Sequence, residues 1–219
     1  MENYLKKSLS YAEYVKLIDD LLLEGKTTGP NQSYAMFNYG KLNRQRMHRL
    51  EKTVELDAET VFSIRSLDVN WIWLVIAEGW CGDAAQNIPI IEKMAAENGG
   101  IETRYLLRDE NLELIDRYLT NGARSIPKLI ALDADTLDVL GTWGARPKAA
   151  QELFYKLKDQ GIEKPQIMEQ LQRWYNDDRS RSIQKEFREL TAEWAEKGPA
   201  SLGSRESRNS LKSLESLAS

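Results

Sequence analysis

Cys81 is the only cysteine in the chain. It stands in the run Glu78-Gly79-Trp80-Cys81-Gly82-Asp83-Ala84. A lone thiol can attack a disulfide, hold a small thiol as a mixed disulfide, or be oxidised by peroxide to a sulfenic acid. It cannot close an internal disulfide, so any adduct must be resolved by an external thiol. In each reaction the thiolate is the reacting form, so the charges around the sulfur set its reactivity. Asp83, two residues on, opposes ionisation by like-charge repulsion, and Glu78 adds to it. Arg124 and Arg146 are the cations able to offset this, and an Arg124–Asp83 pair would cancel much of the repulsion. The expected Cys81 pKa then lies modestly below that of a free thiol. The competing reading makes Cys81 a small buried hydrophobe, a common fate of free cysteine. His48 is the one histidine, with no second His or Cys near it. No metal site and no cofactor are implied.

The elements that must position this sulfur are legible on either side of it. Trp71 to Ala77 is an unbroken apolar run rich in β-branched and aromatic residues, which reads as a strand buried on both faces. A helix follows to about Glu97 and stops at Asn98-Gly99-Gly100. Cys81 therefore falls at the carboxyl end of a strand and the start of a helix, where unpaired N–H groups and the macrodipole favour a thiolate. Open α/β sheets bind ligands at that edge. Pro89 lies inside the helix and should kink it. Ile101 to Leu107 alternates as a strand, and Asn111 to Leu119 is a short helix. After the loop Asn121–Ser125, Ile126-Pro127 leads into a strand from Lys128 to Leu132. Asp133–Thr136 turns the chain back into an antiparallel strand from Leu137 to Trp143. Gly141 and Gly144 mark close backbone approach. Pro147 suits the first position of a helix running to about Gln160.

Helices flank this core on both sides. Ser10-Tyr-Ala-Glu13 is a capping box opening a helix to about Glu24, with Val15, Ile18, Leu21 and Leu22 as its apolar stripe. Gly25 stops it, and Thr27–Pro30 is a turn. A second helix, about Ser33 to Glu55, should bend or break near Gly40. It carries Lys41, Arg44, Arg46 and Arg49, either as a solvated face or with one arginine, Arg44 or Arg46, reaching the pocket near Cys81 to bind an anion or the thiolate. Asp57 opens a third helix. Beyond Lys164-Pro165 lie a helix from about Gln166 to Tyr175 and a charged one from about Arg181 to Lys197. From Ser201 onward serine recurs at every third position, which reads as a disordered tail or an expression tag.

The totals exclude several function classes. A net charge of −4 gives no reason to expect nucleic-acid binding. No apolar run approaches the roughly 20 residues of a membrane span. Residues 1–25 carry charges throughout and do not read as a signal peptide. A lone cysteine suits a reducing compartment, hence a cytoplasmic expectation. The oligomeric state is not readable.

The order strand, helix, strand, helix, Ile-Pro, strand, strand, helix, with Trp80-Cys81-Gly82 at the first strand–helix junction, resembles the thioredoxin family. The resemblance covers about residues 58–160 and is similar to a bacterial branch carrying a helical N-terminal extension. It implies an α/β thioredoxin-like fold, a central mixed β-sheet flanked by helices, with extra helices at both ends. The expected division is an N-terminal helical extension at 1–57, the thioredoxin-like domain at 58–160, C-terminal helices at 161–198 and the tail at 199–219. It implies that Pro89 falls at the family's helix kink and that Ile126-Pro127 is a cis-proline facing the cysteine across a substrate groove. Trp80, Gly82, Asp83, Ala84, Arg124 and Gly144 would line that groove. The family's redox members use Cys-x-x-Cys, whereas here the second cysteine is Ala84 and the intervening proline is Asp83. The family's buried acid maps to Leu74 or Val75. The implied activity is that of a monothiol thiol–disulfide oxidoreductase acting on a protein or low-molecular-weight thiol. The alternatives are a non-catalytic binding module and a peroxide-sensing thiol.

Overall fold

The computed structural model of the protein describes residues 1–198, so the expectation for 199–219 lies outside the described residues. The apolar run becomes β1 (Trp71–Ala77), with every residue but Ile72 buried. It pairs in parallel with β2 (Ile101–Leu107) and antiparallel with β3 (Lys128–Asp133). β4 (Val139–Gly144) pairs antiparallel with β3, giving the sheet order β2-β1-β3-β4. A central strand with neighbours on both sides has no free edge and no solvated face, which is why its sequence does not alternate. The turn before β4 extends two residues further than expected, with Leu137 at a positive φ of 61°.

Helices cover the sheet. α1 (Glu2–Leu5) precedes α2 (Tyr11–Leu23), where Ser10 and Glu13 form the expected capping box. α3 (Tyr34–Thr53) is one continuous helix, so the chain does not break near Gly40. Gly40 has another reason: a Cβ there would lie 2.7 Å from Thr27 Oγ1. α4 (Ala58–Arg65) is capped by Asp57. α5 (Gly82–Ala96) connects β1 to β2 and continues through Pro89 as a single helix. α6 (Leu112–Ile115) and a 3-10 turn at Asp116–Tyr118 occupy the place of the expected short helix. α7 (Lys148–Asp159) begins after Pro147, which is the N-cap rather than the first helical residue. α8 (Lys164–Asp178) is longer than expected and has Pro165 in its first turn.

The last helix, α9 (Arg181–Lys197), is more than a charged surface helix. Ile183, Phe187 and Trp194 are buried. The Phe187 and Trp194 rings meet Trp73 edge-on at 5.3 and 6.4 Å between centroids, and Phe187 also meets Trp143 at 5.4 Å. Glu186 ties three elements together by accepting from Trp143 Nε1 at 2.7 Å and from the Lys148 amide at 2.6 Å. α7 and α8 pair around a second apolar cluster formed by Ala150, Leu157, Ile167 and Leu171. Among the described residues, no helix is long and apolar enough to cross a membrane.

Candidate functional site: a buried thiol at the start of α5

Cys81 is the N-cap of α5 at the end of β1, as the residue order requires. Its thiol donates a hydrogen bond to the carbonyl oxygen of Ile126 at 3.2 Å. The Ile126–Pro127 peptide is cis. The contact to the Ile126 carbonyl places the sulfur beside this bend. Cys81 is only 8% exposed. Burial pushes its pKa up to about 12, and the Asp83 carboxylate adds to the rise. The amides of Ala84 and Asp83 and the Arg146 guanidinium pull the other way and do not prevail. The expected value below a free thiol is therefore overturned. Helix-terminus stabilisation is a fraction of a kcal/mol to about 2 kcal/mol, whereas excluding water from a thiolate outweighs it.

The expected Arg124–Asp83 pair is also overturned. Arg124 is half-exposed and forks onto Asp116, at 2.5 and 2.7 Å. Asp83 is instead held by Arg146, whose Nε lies 3.0 Å from Oδ2 and whose Nη2 contacts the same oxygen. Both side chains of this pair are nearly buried, 10% and 11% exposed. The Arg146 guanidinium lies 4.6 Å from the centroid of the Phe154 ring. Tyr175 of α8 donates to Asp83 Oδ1 at 2.8 Å. Asn87 donates both to the Asp83 carbonyl at 2.8 Å and to the Tyr175 hydroxyl at 3.1 Å. Asp83 is thus saturated by protein groups. Tyr175 lies far beyond the span of the family resemblance, and nothing in its local sequence singles it out.

The loop that carries Arg146 depends on Gly144. Its φ is +119°, and a Cβ there would fall 2.1 Å from the Pro127 carbonyl oxygen. Only glycine fits this backbone and this approach. The following Gly144–Ala145 peptide is cis. Ile126 and Ala84 are buried against the thiol's surroundings.

On the opposite flank the N-terminal segment clamps the loop before Cys81. Thr28 Oγ1 accepts from the Gly79 amide at 2.8 Å, and Asn43 of α3 donates to the Gly79 carbonyl at 3.2 Å. Trp80 is half-buried, with the Arg108 guanidinium 4.8 Å from its ring centroid. Gly29, at φ +78°, comes so close to Trp80 and Asp109 that a Cβ would meet Asp109 Oδ2 at 2.7 Å. The Arg46 guanidinium of α3 lies over Gly82, with Nη1 3.8 Å from where a Cβ would stand. Of the two arginines considered on α3, Arg46 reaches α5, while Arg44 pairs with Asp19 and Glu51.

Leu74 and Val75, the positions expected in place of the family's buried acid, are fully buried apolar residues. A buried acid is nevertheless present three residues before the sulfur. Glu78 has no solvent exposure; its Oε1 accepts from the Asp109 amide at 2.9 Å. Burial pushes its pKa up against the pull of Thr28 and that amide. Glu78 Oε2 and the hydroxyl of Tyr14 are buried without a hydrogen-bond partner among the described residues. No group of three His, Cys, Asp or Glu side chains able to hold a metal ion occurs among the described residues.

A mixed sheet containing a βαβ unit, with a cysteine at its strand-to-helix junction and a cis-proline against the sulfur, defines the thioredoxin-like class of α/β protein. The thioredoxin family profile matches residues 29–161, more than half of the chain, and the chain belongs to the thioredoxin family. That match begins ahead of the span legible from motifs and takes in α3. Two solved structures share the fold at a TM-score of 0.51, each covering 84% of this chain and 98% of its own. One is the protein of unknown function PA1234 from Pseudomonas aeruginosa, 18% identical. The other is an HIV epitope-scaffold, 16% identical. No curated protein matches the chain significantly.

Proposed function

We propose that this chain uses the thioredoxin fold as a binding scaffold and keeps Cys81 as a protected structural thiol. The observation that carries this reading is the state of the sulfur. It is buried, bonded to the Ile126 carbonyl, and pushed up to about 12. At neutral pH the group is then held as the thiol. Ala84 leaves no thiol to resolve an adduct, and Asp83 is committed to Arg146 and Tyr175. These features suit a rigid, closed helix start better than a reaction centre.

A second reading is supported by one observation, the contact between Sγ and the carbonyl beside the cis-proline. In that reading Cys81 leaves the Ile126 carbonyl, loses its proton to solvent and attacks one sulfur of a disulfide. A Cys81 mixed disulfide forms and the other sulfur leaves as a thiolate. An external thiolate then attacks the captured sulfur, and the leaving Cys81 thiolate takes up a proton.

Incubation of the native chain with an oxidised low-molecular-weight disulfide, followed by intact mass, separates the two. The scaffold reading expects no adduct on the folded chain and an adduct on the unfolded one. Rapid stoichiometric modification of the folded chain, absent in Cys81→Ser, would establish the monothiol reading instead.

A further inference from the structure

A cavity of about 830 Å³ opens where the extra helices from the two ends of the chain converge on α5. This is within the range of small-molecule sites. Arg46 and Arg49 reach it from α3, Gln86 from α5, and Arg179 from the corner between α8 and α9. That corner is made by two consecutive non-glycine residues in the left-handed region, Arg179 at φ 51° and Ser180 at φ 63°.

The charges on these walls are not balanced locally. Among the described residues, none of the three guanidiniums makes an ion pair. Arg46 is half-buried and bonds only to the neutral Asn43 Oδ1, at 3.0 Å. Burial and the neighbouring Arg49 both disfavour its charge. Two carboxylates share the walls. Asp178 is engaged by the amide and hydroxyl of Ser182, and Glu55 is exposed.

An independent observation points to a ligand. Gln86 is 5% exposed, and its amide Nε2 is buried with no acceptor among the described residues. Such donors are normally satisfied by protein, by ordered water or by a bound molecule. Gly82 and Gln86 are one turn apart on α5, so the Arg46 guanidinium over Gly82 and the Gln86 amide serve the same face of that helix. A planar guanidinium fork and an amide donor together suit an oxyanion.

We propose that this cavity binds a small molecule bearing at least two anionic oxygen groups, one held by Arg46 and the Gln86 amide and the other by Arg49 and Arg179. The site goes beyond the reading of Cys81 and does not depend on it, so Cys81→Ser should bind as the native chain does.

Titration calorimetry on the full chain at low ionic strength tests this, with inorganic pyrophosphate and tricarballylate as separate probes. Saturable one-to-one binding of at least one is expected, and the stronger probe tells phosphate from carboxylate as the preferred anion. Arg46→Gln and Arg49→Gln should each weaken it about tenfold or more. Gln86→Leu should weaken it as well, and Lys16→Gln, an exposed change on α2, should leave it unaltered. Arg49 is exposed and unpaired, so its variant keeps the test valid if a buried change fails to fold. Absence of saturable binding for both probes, or equal affinity in Arg49→Gln and the native chain, would overturn the proposal.

Discussion

At the scale of single residues, the thiol is governed by a contest between dehydration and charge. Asp83 raises the Cys81 pKa and Arg146 lowers it. Asp83→Asn should therefore speed alkylation of Cys81 at fixed pH, and Arg146→Ala should slow it; matched rates for the two variants would contradict this. Arg146→Ala also leaves a buried carboxylate without its cation, a loss of about 3–5 kcal/mol measurable by denaturant unfolding. The raised thiol has a signature in stability. Below the pKa of the unfolded thiol both states are protonated, and the group contributes nothing. Above it the unfolded chain ionises while the folded chain does not, so stability falls as pH rises toward about 12. The decline attributable to Cys81 approaches about 1.4 kcal/mol per pH unit. The stability difference between the native chain and Cys81→Ser should therefore be constant at neutral pH and change in alkali, the native chain losing more. Parallel curves would remove the buried-thiol account. The lone cysteine and its helix start were legible in sequence. Its ionisation was not, because the loop before it is clamped by Thr28 and Asn43, which lie 51 and 36 residues from Gly79 in the chain. Sequence alone pairs Asp83 with Arg124, because nothing local shows that the Gly144 loop carries Arg146 to it instead.

At the scale of elements, the strands and most helix boundaries followed from apolar runs, caps and glycines. What local pattern could not convey was which surface each added helix covers. The charged appearance of α9 hid a stripe of Ile183, Phe187 and Trp194, whose spacing becomes meaningful once Trp71 and Trp73 are seen to need cover. Trp194→Ala should destabilise the fold by about 3–5 kcal/mol in denaturant titration. A change under 1 kcal/mol would show that α9 is a peripheral addition. The same packing explains Gly141, where a Cβ would fall 2.0 Å from Trp194 Nε1. Gly141→Ala should also destabilise, by about 1–3 kcal/mol through overpacking, and combining it with Trp194→Ala should relieve part of that loss. A strictly additive double variant would contradict the contact.

For the molecule as a whole, the extra helices change what the thioredoxin core can do. α3 and the segment joining it to α2 close one flank of the Cys81 loop, and Tyr175 of α8 holds Asp83 on the other. The α7–α8 pair has its own apolar cluster, so it should form a separable cooperative unit. Native-state hydrogen exchange should show α7 and α8 opening at lower free energy than β1 and α5; uniform protection would refute this. The central claim is that the folded protein presents a thiol, not a thiolate, at the start of α5. Its most direct test is the rate of Cys81 alkylation by a small neutral reagent between about pH 6 and pH 10, on chain verified as folded throughout. The account predicts a slow rate that climbs about tenfold per pH unit with no plateau. A rate that levels off below about pH 8 would contradict it.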